Sequence, residues 1–149
     1  EIHHLALEQH KRVLKTGVMQ SVGRLRLIDG LSQLARAQSA GGMFEDAVNS
    51  LDAMEEFTLP TDTHPFFSKA REYAIVASKI GKLGTDEIDD GLNELKDRCI
   101  GKSKSAFSKA AERGLDVIKC AESDAVFQNF VETPECAEIN AWMVDRFGS

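Results

Sequence analysis

Apolar residues recur at intervals of three and four along almost the whole chain, and this spacing is the feature that most restricts its fold. Residues at these intervals lie on one face of a helix. No segment alternates strictly between apolar and polar residues, and β-branched residues do not cluster, so strands are not indicated. The clearest apolar face consists of Phe66, Phe67, Ala70, Tyr73, Ala74, Ala77 and Ile80. The spacing therefore predicts an all-α fold.

The same spacing divides the chain into seven or eight predicted helices joined by short connections. Gly41 and Gly42 are predicted to end one helix and Phe44 to open the next, because glycine readily takes the positive φ of a helix end. We expect a single all-helical domain over residues 1–149, built of antiparallel hairpins as a helical repeat or an irregular helical bundle. Because the chain begins with Glu1 rather than Met, we expect it to be a fragment of a longer protein.

Turn and cap residues place the later boundaries. Thr85 is predicted to cap one helix, and the segment "GKSKS" (residues 101–105) is predicted to be a loop between helices. Ser123 is predicted to cap a short helix. Thr133 is predicted to cap the last helix, with Pro134 in its first turn, where proline is well tolerated.

Composition excludes several classes of function. The formal net charge is −6, which argues against nucleic-acid binding that depends on Lys and Arg. No apolar run approaches the roughly 20 residues that cross a bilayer. The chain has three cysteines, Cys99, Cys120 and Cys136, and no two of them form a C-x-x-C pair. This pattern favours a reducing compartment, and we expect a cytoplasmic protein without a structural zinc.

One segment resembles a tetratricopeptide repeat, a helical hairpin of about 34 residues with small and large residues at set positions. The matching residues are Leu31, Leu34, Ala35, Gly41, Gly42, Ala47, Leu51, Met54 and Pro60. In such a hairpin, Ala35 and Ala47 would allow close approach of the two helices, and Pro60 would end the second helix. The resemblance implies a scaffold that binds other proteins, and neighbouring helices must cover the hairpin.

Several short motifs suggest chemistry that their context does not support. Gly101, Lys102 and Ser103 match the end of a phosphate-binding loop, but the required earlier glycine is Lys96 and the segment before it is helical. The acidic residues 86–90 lack the alternating order of a calcium loop.

His3 and His10 are seven residues apart, whereas zinc ligands on one helix usually lie three or four apart. We therefore predict no metal site and no cofactor. A cysteine nucleophile would need an imidazole, and His64 is the histidine outside the N-terminal segment.

The absence of a catalytic motif favours a protein-interaction module that binds a peptide or a partner's helix, and it leaves enzymatic activity open. Adjacent helix positions point about 100° apart, so either Phe66 or Phe67 would contact a partner if it did not reach the core. Arg36, Gln38 and Arg71 are the other predicted partner-binding residues.

Two alternatives remain open. One is a helical domain of a larger enzyme, or a secreted bacterial effector, whose site is assembled from distant residues; a pocket that gathers His64 with a cysteine or carboxylates would favour it. The other is a structural spacer within a long solenoid. The sequence does not indicate the oligomeric state.

Overall fold

The computed structural model describes residues 21–148, and every regular element in that range is helical. The elements are α1 (Ser21–Ala40), α2 (Phe44–Ala53), a 3-10 helix (Met54–Phe57), α3 (His64–Gly81), α4 (Asp90–Glu112), α5 (Val117–Ser123), α6 (Ala125–Gln128) and α7 (Pro134–Phe147). The all-α prediction is therefore confirmed. The helix predicted over residues 2–15 and the candidate ligands His3 and His10 lie outside the described residues.

The chain divides into two compact units, residues 1–60 and 61–149. In the first unit, α1 and α2 form the predicted hairpin. Gly42 has a φ of +80°, the left-handed conformation expected at this helix end. Ala35, Ala47 and Leu51 are completely buried. Across the hairpin, the Ser50 hydroxyl donates a hydrogen bond of 2.7 Å to the side-chain amide oxygen of Gln38.

The second unit is built on α3 and α4, with α7 packed against both of them. Three aromatic rings form the centre of its core. The ring centroids of Phe67 and Phe107 are 5.5 Å apart, those of Phe107 and Phe127 are 6.1 Å apart, and both pairs meet edge to face. Ile139 and Met143 of α7 are completely buried in the same cluster.

The loop predicted at residues 101–105 is wrong, because α4 continues through this segment without a break. Ser103 is buried and donates a hydrogen bond of 2.7 Å to the backbone carbonyl of Ala70 in α3. Lys102 and Lys104 extend over the rings of Tyr73 and Trp142, so their aliphatic stems cover aromatic surface. Three polar side chains of this segment thus contact neighbouring helices, which favours the helical state.

Two of the predicted caps are also wrong, and one is confirmed. Asp89 rather than Thr85 caps α4, through a hydrogen bond of 2.8 Å from the backbone N–H of Leu92. Ser123 ends α5, and Asp124 caps α6. Thr133 caps α7, and Pro134 lies in its first turn, as predicted. At both corrected positions a carboxylate is the acceptor, and it also interacts favourably with the positive end of the helix dipole.

Candidate functional site

Phe66 and Phe67, predicted as partner contacts if exposed, are both buried, with 6% and 7% of their surfaces accessible. Phe67 reaches the aromatic core. Phe66 is covered by two cationic side chains: the guanidinium of Arg113 lies 4.7 Å and the ammonium of Lys109 lies 5.7 Å from the ring centroid. The condition for a role of either ring as an exposed anchor is therefore not met, because both rings are buried in the core of the second unit.

Arg36 and Gln38, also predicted as partner contacts, lie in the last turns of α1 and are partly exposed. The amide oxygen of Gln38 accepts the hydrogen bond from Ser50 that joins the two helices of the hairpin. Gln38 thus has a structural task within the first unit, and its backbone carbonyl also accepts a 2.8 Å hydrogen bond from Met43 in the turn.

Arg71, the remaining predicted contact, lies in the second unit and holds two carboxylates. Its Nε and Nη2 atoms contact Oε2 of Glu72 at 2.9 and 2.8 Å. Its Nη1 atom donates a hydrogen bond of 2.9 Å to Oδ2 of Asp124. The side chain of Glu72 is 1% exposed, whereas those of Arg71 and Asp124 are 16% and 14% exposed. Because a buried charge must be paired, this arrangement fixes the guanidinium in place.

The Arg71–Asp124 ion pair borders an open cleft of about 280 Å³ in the second unit. The lining residues are His64, Phe67, Ser68, Arg71, Leu115, Cys120, Ser123 and Asp124. Four of them come from the first two turns of α3, at spacings that place them on one side of the helix. The others come from the connection after α4, from α5 and from the cap of α6. We call this site the α3–α5 cleft.

The α3–α5 cleft brings together the imidazole of His64, the thiol of Cys120 and the carboxylate of Asp124. These groups do not form a hydrogen-bonded nucleophile. In the described part of the chain, Nδ1 of His64 lies 3.5 Å from the hydroxyl of its neighbour Thr63 and is not bonded to Cys120. Asp124 accepts from Arg71 and from the backbone N–H of Phe127 at 2.7 Å. The arrangement suits binding more directly than proton transfer.

The other two cysteines are completely buried. Cys136 Sγ lies 3.0 Å from the hydroxyl of Ser78 and 3.6 Å from the carbonyl of Ala74. Burial raises the pKa of the Cys136 thiol, and the hydrogen bonds from Ser78 and Thr133 only partly offset this effect. A buried thiol with a raised pKa is a poor nucleophile, so Cys136 has a packing role.

The described residues contain no cluster of side chains suited to a metal ion. Between residues 21 and 148, no group of three or more His, Cys, Asp and Glu side chains is placed to hold a metal ion. In the acidic segment, Asp89 caps α4 and Glu87 accepts a 3.1 Å hydrogen bond from the backbone N–H of Gly84. These carboxylates therefore serve the local backbone. Within the same range, no helix has the length and apolar content needed to cross a membrane.

Sequence reasoning missed Asp124, Ser68 and Ser123 as members of a site. The available signal was the run "ESDAV", in which either Ser123 or Asp124 could cap the next helix. Assigning the cap to Asp124 would have placed a carboxylate at the boundary between α5 and α6. Its pairing with Arg71, 53 positions earlier, has no signal in the sequence.

Comparisons with protein-family models, with curated proteins and with solved structures found no significant match.

Proposed function

We propose that this chain is a protein-interaction module that binds a partner protein or peptide through apolar side chains of its first unit. The observation that carries the proposal is the exposure of Val22 and Leu25 on α1, with 61% and 44% of their surfaces accessible. The two residues are one helical turn apart and therefore form a continuous strip. Further along α1, Leu27, Ile28 and Leu31 are buried.

Two further apolar residues of the same unit are exposed. Met43, in the turn between α1 and α2, is 50% exposed, and Leu59, after the 3-10 helix, is 47% exposed. Single exposed apolar residues are common on protein surfaces, whereas neighbouring ones mark contact sites. The resemblance of residues 31–60 to a tetratricopeptide hairpin supports the same class of function. The net charge of −6 supports a partner of basic character.

The test compares protein capture by the whole chain and by a Val22→Gln, Leu25→Gln variant, using extract from the native source. Glutamine keeps helix propensity and removes the apolar strip. Val144→Gln is the matched control, because Val144 is 47% exposed on a helix of the second unit. We expect the double variant to lose a protein that the wild type and the control both retain. Equal recovery by all three would contradict the proposal.

A second candidate function is favoured by the α3–α5 cleft, which gathers a histidine with a cysteine and a carboxylate. The chain would then be a helical domain of a larger enzyme, with Cys120 as nucleophile and His64 as its base. In a Cys–His pair of this kind the imidazole takes up the thiol proton and makes the cysteine a reactive nucleophile. The rate of alkylation by iodoacetamide between pH 5 and pH 8 tests for it. A reactive plateau at low pH that His64→Ala abolishes would support the enzyme, and an ordinary thiol titration would exclude this pair.

We also propose that the interaction module is located in the cytoplasm. All three cysteines are free, which suits a compartment that keeps thiols reduced.

A further inference from the structure

The α3–α5 cleft combines a partly exposed cysteine with the charged pair of Arg71 and Asp124, and the proposed interaction module does not use this combination. Cys120 is partly exposed in the cleft wall, whereas Cys99 and Cys136 are completely buried. Disulfide exchange requires access to the thiol, so among the three cysteines we expect it at Cys120.

The charged pair in the cleft retains the capacity to bind a ligand. A guanidinium has five N–H donors, and the contacts of Arg71 with Glu72 and Asp124 use three of them. Each carboxylate oxygen of Asp124 accepts one hydrogen bond and has a second lone pair. Glu72, the second carboxylate that contacts Arg71, does not line the cleft. The charged groups that face a ligand are therefore the guanidinium of Arg71 and the carboxylate of Asp124, 2.9 Å apart, and they complement a ligand that carries both a carboxylate and an ammonium group.

The size of the cleft limits the ligand further. Its volume of about 280 Å³ lies just below the usual range for small-molecule sites. The aromatic ring of Phe67 and the side chain of Leu115 provide apolar surface, and Ser68 and Ser123 provide hydroxyl groups. These dimensions and this chemistry match an amino acid or a very short peptide.

We propose that the α3–α5 cleft is a site of reversible thiol modification, in which Cys120 forms a mixed disulfide with an amino-acid or short-peptide thiol whose zwitterionic group contacts Arg71 and Asp124. The reactant is the disulfide of that small thiol. The Cys120 thiolate attacks one sulfur of the disulfide, and a new sulfur–sulfur bond forms as the original one breaks. The other half leaves as a thiolate and takes up the proton that Cys120 released, so no further oxidant is needed. The proposal does not depend on the partner of the first unit or on a role for His64 as a base.

The test measures exchange between the folded, full-length chain and two small disulfides, L-cystine and the uncharged bis(2-hydroxyethyl) disulfide. Mass spectrometry of the intact chain gives the rates, and peptide mapping locates the adduct. Free N-acetylcysteine provides the reference ratio of the two rates. We expect a single adduct, on Cys120, which Cys120→Ser abolishes. Because an exposed ion pair contributes up to about 1 kcal/mol, we expect Cys120 to favour cystine by about fivefold relative to the reference.

Two variants separate the role of the cleft from simple exposure of the thiol. Asp124→Asn removes the negative charge and keeps an oxygen that can cap α6. Asp116→Asn is the matched control, because Asp116 caps α5 through a 3.1 Å hydrogen bond from Lys119 and does not line the cleft. We expect Asp124→Asn to lower the preference for cystine to the reference ratio and Asp116→Asn to retain it.

Three results would overturn the proposal: an adduct on Cys99 or Cys136 of the folded chain, a wild-type preference equal to that of N-acetylcysteine, or an equal loss of preference in both Asn variants. The wild-type ratio decides the question even if Asp124→Asn fails to fold, since it requires no variant.

Discussion

Two helical glycines of the second unit differ in what surrounds them. Gly101 lies within α4, and a methyl group added to it would meet no atom within 4 Å. Gly81 is the last residue of α3, and the same methyl group would overlap the carboxylate of Glu135. Glu135 is 8% exposed, and its Oε1 atom has no hydrogen-bond partner in the described part of the chain. A methyl group at residue 81 would therefore displace the carboxylate end of the Glu135 side chain, whereas one at residue 101 would displace nothing.

We therefore expect opposite effects of alanine at the two glycines. Gly101→Ala should raise the free energy of unfolding by up to about 1 kcal/mol, because alanine has the higher helix propensity. Gly81→Ala should lower it by up to about 1 kcal/mol, because the new methyl group displaces the carboxylate end of the flexible Glu135 side chain. Urea denaturation measures both changes.

The double variant Gly81→Ala, Glu135→Ala identifies the cause of the second effect. If the contact with Glu135 is responsible, the cost of Gly81→Ala should be much smaller in the Glu135→Ala background. An unchanged cost would place the effect elsewhere.

Cys136 should make the stability of the second unit sensitive to alkaline pH. Burial raises the pKa of its thiol above the ordinary value of 9.0, so the folded state favours the neutral thiol. This contribution is fully present below pH 9.0 and is lost as the pH rises from there through the folded-state pKa, because only the unfolded chain ionises easily.

Cys136→Ser tests this effect, because serine preserves a hydrogen bond with Ser78 and does not ionise in this range. Unfolding free energies from urea titrations at pH 8 and pH 10 should fall less with pH in the variant than in the wild type. Parallel losses in the two proteins would show that other groups cause the alkaline decline.

At the scale of elements, the hairpin of α1 and α2 depends on the complete burial of the inner face of α2. Phe44, Ala47, Val48 and Leu51 lie on this face, and they and Met54 of the following 3-10 helix are at most 6% exposed. The packing of α1 against α2 and the 3-10 helix covers this face. The resemblance to a tetratricopeptide repeat stays a prediction, because a hairpin of this kind also occurs in irregular bundles.

Leu51→Asp should destabilise the first unit strongly, because it buries an unpaired carboxylate where no solvent reaches. We expect a loss of about 3 kcal/mol or more, against less than about 0.5 kcal/mol for Asn49→Asp on the exposed side of the same helix. Circular dichroism during thermal unfolding measures both. A similar melting temperature in the two variants would contradict the observed packing.

The helical periodicity predicted most of the elements, and it failed where polar residues have buried partners. The residues of α3 repeat apolar side chains regularly, so its helical state follows from the spacing. The middle of α4 has few apolar residues, and its helical state depends on Ser103, Lys102 and Lys104 contacting residues of α3 and α7. Such contacts join residues far apart in the sequence, so they cannot be predicted from local spacing.

At the scale of the whole molecule, the second unit is organised around one aromatic ring. Phe107 is completely buried and contacts both Phe67 and Phe127 edge to face. Trp142, the single tryptophan of the chain, belongs to the residues packed against this core. Its ring lies 5.7 Å from that of Phe147 and beneath the ammonium of Lys104. Tryptophan fluorescence therefore reports on the second unit alone.

Phe107→Ala should lower the stability of the second unit by about 3–5 kcal/mol, because it leaves a cavity between two rings. Phe107→Leu should cost less, since it fills most of that volume. Denaturant titration followed by Trp142 fluorescence compares the two variants with the wild type. Equal midpoints for all three would mean that Phe107 is not central to the core.

The α3–α5 cleft was far less predictable than the fold that surrounds it. The sequence identified His64 and Cys120 as candidate groups, but 55 residues separate them and no motif connects them. Their proximity results from the packing of α3 against later helices, which depends on core residues such as Phe67 and Phe107. A site assembled in this way becomes visible only when the helices have been placed.

The unequal burial of the three cysteines has a practical consequence for crystallography. Mercury compounds bind to accessible thiols, so a crystal of this protein soaked in a mercurial should carry one heavy atom per chain, at Cys120. A single ordered scatterer at a known residue provides experimental phases and also fixes the sequence register during chain tracing.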